Sequence, residues 1–338
     1  MKVGRSTIYL DKQPGILGFA AVGGKKESEG PLAHEFDHLY IDTTLGEKTF
    51  EKAESLMQKD AANRAIQKAN LTPDQIDIVF AGDLLNQCIG SSYGLRELGI
   101  PFAGLYGACS TMAESLLFAS LFVEGGFANH ALAVTSSHFC SSERQFRFPL
   151  EYGGQRPPSA QWTATASGSV VVGMEDSAPY VKAVCLGKMM DLGVTDMNNM
   201  GAAMAPAAAD TISTFLQDSG TKPSDYDLIL TGDLGLVGSK LLITLLRQEY
   251  IDISAVHNDC GLLLYNREKQ DVHAGGSGCG CSAAVLCSTI LKKLRQGELK
   301  NVLFIATGAL MSPTSNQQGE SIPSIAHLVY LTNERGGK

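Results

Sequence analysis

The sequence predicts an α/β protein built from two similar halves. Two separate internal matches occur in the same order, and strand-like and helix-like segments alternate along the 338 residues. Such alternation is typical of mostly parallel sheets covered by helices, because each parallel connection needs a crossover. We expect a first half over residues 1–180 and a second over residues 181–338, related by a pseudo-twofold axis. Chance similarity between two α/β units is the alternative.

The first match pairs residues 73–84, PDQIDIVFAGDL, with residues 223–234, PSDYDLILTGDL. Pro, Asp, Gly, Asp and Leu coincide, and most of the remaining apolar positions stay apolar. Each segment predicts a capped turn that leads into a strand ending in Gly-Asp-Leu.

The second match pairs Cys109 with Cys281, and the same offset pairs Thr135 with Thr307. On both sides a turn of small residues leads into an apolar helix, a glycine and a strand. The predicted helices cover residues 111–123 and 283–294, and the predicted strands cover residues 131–135 and 302–307. Because both helices are apolar on several faces, we expect them to form a buried central layer.

Two more helices and one long loop are predicted. Residues 51–69 carry an apolar stripe opposite charged positions, and residues 195–217 are rich in Ala and Met, with Pro206 as a candidate kink. Residues 137–161 contain several Pro and Gly residues and predict a long excursion loop, a kind of segment that is often functional.

Composition excludes several classes of protein. The formal net charge is −8 with both signs interspersed, so the sequence lacks the clustered basic face of a nucleic-acid-binding protein. No run reaches the ~18 apolar residues that a membrane helix needs. The first 32 residues predict short strands and glycine turns rather than a signal peptide. The eight cysteines contain no C-x-x-C pair, which favours free thiols over disulfides.

Cys109 is the first candidate for a functional residue. It follows the strand-like residues 102–106 and stands at the start of an apolar helix. Free N–H groups and the helix dipole at that position favour an anion, so the thiol is expected to have a lowered pKa and act as a nucleophile. The same field would favour a bound carboxylate. Alternatively, Cys109 is simply a small buried residue.

Three segments resemble the thiolase and ketoacyl-synthase superfamily. They are residues 59–87, which are similar to its opening helix and strand, the nucleophile turn GACST around Cys109, and the glycine-rich strand TATASGSVVVGM at residues 163–174. The resemblance spans nearly the whole chain. It implies a thiolase-like fold with duplicated βαβαβαββ halves in a five-layered α-β-α-β-α sandwich, and a homodimer paired through central strands.

The sequence departs from the enzymes of this superfamily at two turns. Those enzymes use His with His or Asn beside the cysteine to polarise a thioester and move protons. The matching turns read Thr231-Gly232-Asp233-Leu234 and residues 276–281, GSGCGC, and neither contains His or Asn. We therefore expect binding rather than catalysis, unless His138, His257 or His273 reaches the pocket from elsewhere.

A closer resemblance links the chain to sporulation proteins of spore-forming bacteria. It is carried by residues 2–32, by FRFPLEYGGQRPP at residues 146–158 and by HAGGSGCGCSAAV at residues 273–285. It implies that the protein binds dipicolinic acid, alone or with calcium, and serves its uptake into the developing spore. It also implies partners among the membrane proteins of the same sporulation operon, and a location in the forespore at the inner membrane, held there peripherally.

Several polar residues near the expected pocket are candidates for binding an acid. Asp83 and Gln87 follow the first repeat strand, and Arg144, Arg147 and Arg156 lie on the predicted loop, where arginine would recognise carboxylates. The full candidate set is Cys109, Asp83, Gln87, Ser136, Ser137, His138, Arg144, Arg147 and Ser277. The alternatives are a turn cap for Asp83, a structural role for His138 and solvated surface positions for the arginines.

No cofactor or metal is expected. The glycine-rich turn at residues 275–280 lacks the Lys-Ser/Thr ending of a phosphate-binding loop. Cys260, Cys279 and Cys281 do not form the two cysteine pairs of a typical zinc site. Two other functions remain open: an acyltransferase or ketoacyl synthase with Cys109 as its nucleophile, and a structural subunit whose pocket is a relic.

Overall fold

The computed structural model describes residues 1–146 and 156–336. The strands of the described chain belong to one large sheet and one small two-stranded sheet. The strands are β1 (Lys2–Val3), β2 (Thr7–Tyr9), β3 (Gly15–Gly23), β4 (His38–Leu39), β5 (Ile78–Gly82), β6 (Phe102–Gly104), β7 (His130–Ser137), β8 (Trp162–Thr163), β9 (Ala166–Gly173), β10 (Tyr180–Cys185), β11 (Leu228–Thr231), β12 (His257–Asp259), β13 (Gly276–Ser277), β14 (Asn301–Ala309) and β15 (Ser324–Thr332).

The helices include four long ones that cover the sheet and several short ones in the connections. They are α1 (Lys25–Ser28), α2 (Phe50–Lys68), α3 (Ile89–Leu95), α4 (Thr111–Glu124), α5 (Phe139–Phe146), α6 (Met200–Ser219), α7 (Gly235–Gln248), α8 (Cys260–Leu263), α9 (Cys279–Val285), α10 (Leu291–Arg295) and α11 (Pro313–Gln317). A π-helical stretch, Leu286–Ile290, joins α9 to α10, so these three segments form one continuous helix.

The large sheet repeats one strand pattern twice. Its main path runs β12-β11-β14-β15-β10 and continues β3-β9-β7-β5-β6. In each half three strands are parallel, and the two strands nearest the middle are antiparallel to their neighbours. The two halves of this path meet where Tyr180 on β10 pairs with Gly15 on β3. Strand β2 pairs with residues 183–185 of β10.

The prediction of mostly parallel sheets holds only for the outer three strands of each half. β14 and β15 are joined by residues 310–323, which contain only the short helix α11. The link starts and ends at the same edge of the sheet, because Ala309 at the end of β14 pairs with Ser324 at the start of β15. A connection that returns to the strand end it left makes the two strands antiparallel.

The predicted five-layered sandwich is confirmed. Helix α2 packs on β3 and β9, and α6 packs on β14 and β15, so each covers the outer face of one half. Helix α4 contacts β5, β7 and β9 on one side and β14 and β15 on the other. Helix α9 packs on β7 and β9 beside it. The two central helices are almost fully buried, as the apolar residues on several of their faces predicted.

The predicted excursion loop is partly wrong, because its first third forms helix α5. The Pro and Gly residues that predicted a loop begin at Pro149, beyond the end of this helix. Before them, Ser141 donates a hydrogen bond to the buried carboxyl of Glu54 on α2, and Phe139 stacks on Trp162. These tertiary contacts hold residues 139–146 in a helix that the local sequence did not predict.

The helix predicted at residues 195–217 begins later, at Met200. Asp196 accepts a hydrogen bond from the backbone N–H of Asn198, and this turn occupies the residues before the helix. Pro206 lies inside α6 without ending it, since the helix continues to Ser219. Within residues 1–146 and 156–336, the structure contains no helix long and apolar enough to cross a bilayer.

Candidate functional site

The turn that carries Cys109 is held in a strained conformation at the start of α4. Residues Ala108–Ser110 form one turn of 3-10 helix, and Ala108 has a φ of 51°, in the left-handed region that residues other than glycine rarely adopt. Gly308 on β14 lets this turn approach closely, because a Cβ there would lie 2.3 Å from the carbonyl oxygen of Gly107. Such strain often occurs at functional sites.

Cys109 lies at the wall of a cavity between the two halves. The cavity offers about 30 Å³ of solvent-accessible space and is partly open to solvent. Its walls are mainly apolar, with three hydroxyls, one thiol and one carboxylate. The lining residues are Leu84, Ala108, Cys109, Ser142, Glu143, Phe146, Thr163, Met200, Ser277, Ala309 and Met311.

Asp233 is the charged group next to the Cys109 thiol. The residue follows β11 in the second Gly-Asp-Leu repeat and is completely buried. Its carboxylate accepts hydrogen bonds from the N–H of Gly278 at 2.8 Å, the hydroxyl of Thr307 at 3.0 Å and the hydroxyl of Ser277 at 3.2 Å. Burial raises its pKa to about 6, while the hydrogen bonds and the neighbouring Cys109 oppose that rise.

The expectation of a lowered pKa for Cys109 is wrong. Burial raises the pKa of this thiol well above its ordinary value, and the negative charge of Asp233 raises it further. The thiol is 5% exposed, so the low polarity around it outweighs the dipole of α4. The surroundings of Cys109 in this conformation therefore disfavour the thiolate, which is the nucleophilic form.

None of the seven histidines is among the described residues that line this cavity. Of the three that the sequence left open, His138 bonds the carbonyl oxygen of Thr43 at 2.8 Å, and His257 bonds the hydroxyl of Thr231 at 3.0 Å. His273 pairs with Asp271 at 2.9 Å. The ring nitrogens of these three histidines are thus directed to partners outside the cavity, and the ionisable neighbour of the Cys109 thiol is the carboxyl group of Asp233.

Asp83, the repeat partner of Asp233, caps a turn and does not line the cavity. Its carboxylate accepts hydrogen bonds from the N–H of Leu85 at 2.8 Å and from the N–H and hydroxyl of Ser91 at 2.7 and 2.6 Å. Glu54 lies nearby, fully buried, and accepts from Ser136 and Ser141. Burial raises the pKa of both carboxyl groups, and their mutual repulsion adds to the rise for Glu54.

The remaining predicted binding residues differ in whether they line the cavity. Ser277 and Cys109 both line the cavity. Ser136 bonds Glu54, and Ser137 donates to the carbonyl of Ala164 at 2.7 Å. Gln87 is exposed and lines none of the described cavities near Cys109.

The candidate arginines lie outside the cavity or outside the described residues. Arg144 pairs with Glu51 on α2. Arg156 pairs with Asp271 at 3.0 Å and lies over the ring of Trp162. Arg147 lies outside the described residues.

The described residues contain no group of three or more His, Cys, Asp or Glu side chains that could hold a metal ion. All eight cysteines are free thiols in this part of the chain. Cys279 packs with Cys109 and Leu84, and its thiol donates to the carbonyl of Ser136 at 2.9 Å.

Sequence reasoning missed several residues of the cavity wall. In the sequence, the turn that contains Asp233 stands out only because it lacks histidine. The repeated Gly-Asp-Leu motif, which also contains Asp233, is the signal that could have identified this residue. Glu143 accepts a hydrogen bond from Thr163 at 3.0 Å, and Phe146 follows it on α5. No sequence signal located these two, because their position depends on α5 folding against α2.

Comparison with solved structures gives the fold. The 3-oxoacyl-[acyl-carrier-protein] synthase III of Aquifex aeolicus VF5 aligns with a TM-score of 0.55 at 16% identity, covering 94% of this chain and 99% of that one. A variant of OleA from Xanthomonas campestris in which one histidine is replaced by asparagine aligns with a TM-score of 0.62 at 15% identity, covering 96% and 100%. At such low sequence identities the structural likeness shows only that the fold is thiolase-like, and it carries no information about activity.

Comparison of sequences is more specific. Stage V sporulation protein AD of Bacillus subtilis (strain 168) is 48% identical over 334 residues, which cover 99% of this chain and 98% of that protein. Residues 4–332 also match the family description of stage V sporulation protein AD. This chain belongs to the stage V sporulation protein AD family.

Proposed function

We propose that the protein binds dipicolinic acid in the cleft that leads to Cys109, and that it serves the uptake of this acid into the developing spore without catalysing condensation. Membership of a sporulation family supports a role in the spore. The observation that carries the non-catalytic part is the carboxylate of Asp233 beside a buried Cys109 thiol.

Condensation needs a thiolate and donors for the oxyanion that forms on the thioester. Asp233 disfavours the thiolate by charge, and its carboxylate supplies no hydrogen-bond donor to an oxyanion. Loss of a single oxyanion donor lowers the rate about 10²–10³-fold. This arrangement therefore favours binding in the cavity over acyl transfer.

The cavity chemistry suits a small flat aromatic acid. Leu84, Phe146, Met200 and Met311 supply apolar and aromatic contacts. Calcium would assist binding, because a one-to-one calcium chelate of dipicolinate carries no net charge. The chelate would meet less repulsion than the free dianion from the buried carboxylate of Asp233 beside Cys109.

Two measurements test this function. Isothermal titration of the full chain with dipicolinate, with and without calcium, is expected to give one saturable site of micromolar or weaker affinity. Mass spectrometry after incubation with acetyl-CoA is expected to find Cys109 unmodified. No binding heat under either condition would overturn the proposal, and a covalent acyl adduct at Cys109 would favour the second candidate.

That second candidate is acyl transfer by Cys109. The strained turn at Ala108 and the position of the thiol at the cavity wall favour it, since both resemble the placement of a nucleophile. It requires Asp233 to be displaced or protonated, so that the thiol can ionise.

We also propose a homodimer that pairs through β6. This strand ends the main path of the large sheet and pairs only with β5 among the described strands. Phe102 on β6 is 42% exposed, and Tyr106 just beyond it is 49% exposed. An unpaired edge with exposed aromatic side chains is suited to pairing with a second copy.

The resemblance that suggested dipicolinate also supports partners among membrane proteins of the same sporulation operon. Association with the inner membrane of the forespore would then depend on those proteins. A pull-down of the tagged full chain from sporulating cells tests this, and recovery without any membrane protein of that operon would count against it.

A further inference from the structure

A second, larger chamber adjoins the cavity at Cys109. This outer chamber offers about 330 Å³ of solvent-accessible space, compared with about 30 Å³ for the inner one. The residues that line both chambers are Leu84, Ala108, Phe146, Ala309 and Met311. All five are apolar, so the boundary between the two chambers, called the waist below, is apolar.

The inner chamber is unfavourable for a negatively charged group, because the carboxylate of Asp233 lies behind Cys109 and Ser277. Glu143 also lines this chamber and has hydrogen-bonding partners of its own. The hydroxyls of Thr163 and Ser277 already donate to these two carboxylates, at 3.0 and 3.2 Å. A carboxylate from a ligand would meet like charge there in surroundings of low polarity.

The outer chamber offers uncharged hydrogen-bond donors. Its lining contains Asn86, Tyr106, Gln145, Ser312 and Thr314, and no Asp, Glu, Lys or Arg among the described residues. Gln145 orients Asn86 by two hydrogen bonds, one from its amide to the Asn86 side chain at 3.1 Å and one accepted from the Asn86 backbone at 3.2 Å. The remaining Asn86 amide donors and the hydroxyls of Ser312 and Thr314 form no hydrogen bond within the described chain.

We propose that the acid groups of the ligand bind in this outer chamber, at Asn86, Ser312 and Thr314, while the ring edge opposite them enters the waist beside Phe146. This inference rests on the proposed binding of dipicolinate and assigns its orientation. In dipicolinate both carboxylates flank the ring nitrogen, so all its acceptors face one way and the apolar carbon edge faces the other. That division matches the polar outer chamber and the apolar waist.

In this orientation the acid groups do not contact the inner chamber, so the loss of a hydrogen-bond donor there should have little effect on affinity. The hydroxyl of Ser142 is buried, lines the inner chamber and lacks a hydrogen-bond partner in the described chain, so it is the inner donor best placed to contact a carboxylate that did enter. It therefore serves as the matched control for the outer donors.

The test is isothermal titration of dipicolinate into the full chain and its variants. Asn86→Ala and Ser312→Ala are each expected to weaken binding about tenfold, since each removes a hydrogen bond to a charged group. Ser142→Ala is expected to change affinity less than about threefold. The reverse order, with Ser142→Ala the more damaging, would place the acid in the inner chamber and overturn the inference.

A second arm uses dipicolinate with a phenyl group on the ring carbon opposite the nitrogen. The wild-type chain is expected to bind it about tenfold more weakly or worse, and Met311→Ala, which widens the waist, is expected to recover most of that loss. Equal affinity of the wild-type chain for both ligands would overturn the orientation. No binding of plain dipicolinate to the wild-type chain would instead contradict the proposed function itself.

Discussion

The carboxylate of Asp233 lies beside the thiol of Cys109, and the N–H of Gly278 holds it there at 2.8 Å. Asp233 comes from the second half of the chain and Cys109 from the first, so their meeting depends on the two halves packing face to face. This contact adds to the effect of burial, because the negative charge of Asp233 opposes ionisation of the thiol that lines the cavity.

Asp233→Asn is expected to make Cys109 more reactive. The substitution removes a negative charge that raises the pKa of the thiol, while burial, the larger cause, remains. We expect alkylation of Cys109 by iodoacetamide at about pH 8 to accelerate about tenfold, which corresponds to about one pKa unit. Mass spectrometry of the digested protein gives the rate.

Alkylation of Cys140 provides the control, because the pKa of this partly buried thiol is raised by burial and then by Glu143, and not by Asp233. If both thiols accelerated together, the variant would have loosened the fold as a whole. An unchanged rate at Cys109 would mean that Asp233 does not govern this thiol.

Much of the fold was predictable from the sequence, because the internal repeat and the apolar central helices are local patterns. The Gly-Asp-Leu repeat located both Asp83 and Asp233, yet their different surroundings could not be predicted. Asp83 caps the turn that leads to Ser91, whereas Asp233 bonds Ser277 and Gly278 from a distant turn. Helix α5 was missed for the same reason, since contacts with α2 and β8 hold it.

The buried carboxyl groups are expected to lower the stability as the pH rises from about 5 to 8, whereas His257 and His327, whose pKa burial lowers to about 4, act in the opposite direction below about pH 6.5. Burial raises the pKa of Asp233 to about 6 and that of Asp259 to about 7, both above the ordinary value of 3.8, and raises that of Glu54. The folded state therefore keeps protons that the unfolded chain has already released. Their stabilisation is complete below the ordinary pKa and is lost as the pH rises through the folded-state value.

Glu54→Gln isolates one part of this dependence. Glutamine keeps one acceptor, for the hydroxyl of either Ser136 or Ser141, and its NH₂ group can donate to the other hydroxyl, as a protonated carboxyl group would, but it has no proton to lose. Relative to the wild type, the variant should become more stable with rising pH, by up to about 1.4 kcal/mol per pH unit while only the unfolded carboxyl is ionised. Thermal unfolding monitored by circular dichroism measures this difference in stability. If the stabilities of the variant and the wild type changed in parallel with pH, Glu54 would not stay protonated in the folded state.

Gly308→Ala is expected to displace the turn that carries Cys109. The new Cβ would lie 2.3 Å from the carbonyl oxygen of Gly107 and 3.1 Å from the backbone nitrogen of Ser110, and both are backbone atoms that cannot turn aside. We expect a loss of about 1–3 kcal/mol in unfolding free energy and faster hydrogen exchange at residues 107–110. Denaturant titration and exchange mass spectrometry measure the two effects.

Gly336→Ala is the matched control for this change. Its added Cβ would meet only the end of the flexible Gln13 side chain, at 3.2 Å. It should alter stability by less than about 0.5 kcal/mol, as surface substitutions usually do. If Gly308→Ala were equally harmless, the close approach between β14 and the Cys109 turn would not constrain the cavity.

Phe102→Asp is expected to prevent the proposed homodimer. Phe102 stands on the edge strand β6 with 42% of its surface exposed, and a dimer paired through this strand would bury the ring against the second copy. An aspartate there would place two like charges in the interface, one from each copy, without an opposite charge to compensate. Light scattering after size-exclusion chromatography should therefore show a dimer for the wild type and a monomer for the variant.

Phe127→Asp supplies the comparison, because Phe127 is 78% exposed in the turn after α4 and lies outside β6. It should leave the dimer intact. A wild-type chain that elutes as a monomer at micromolar concentration would contradict pairing through β6, and so would a dimer that survives Phe102→Asp. If Phe127→Asp alone dissociated the dimer, the interface would lie at that turn, and the edge of the sheet would be free in the assembled protein.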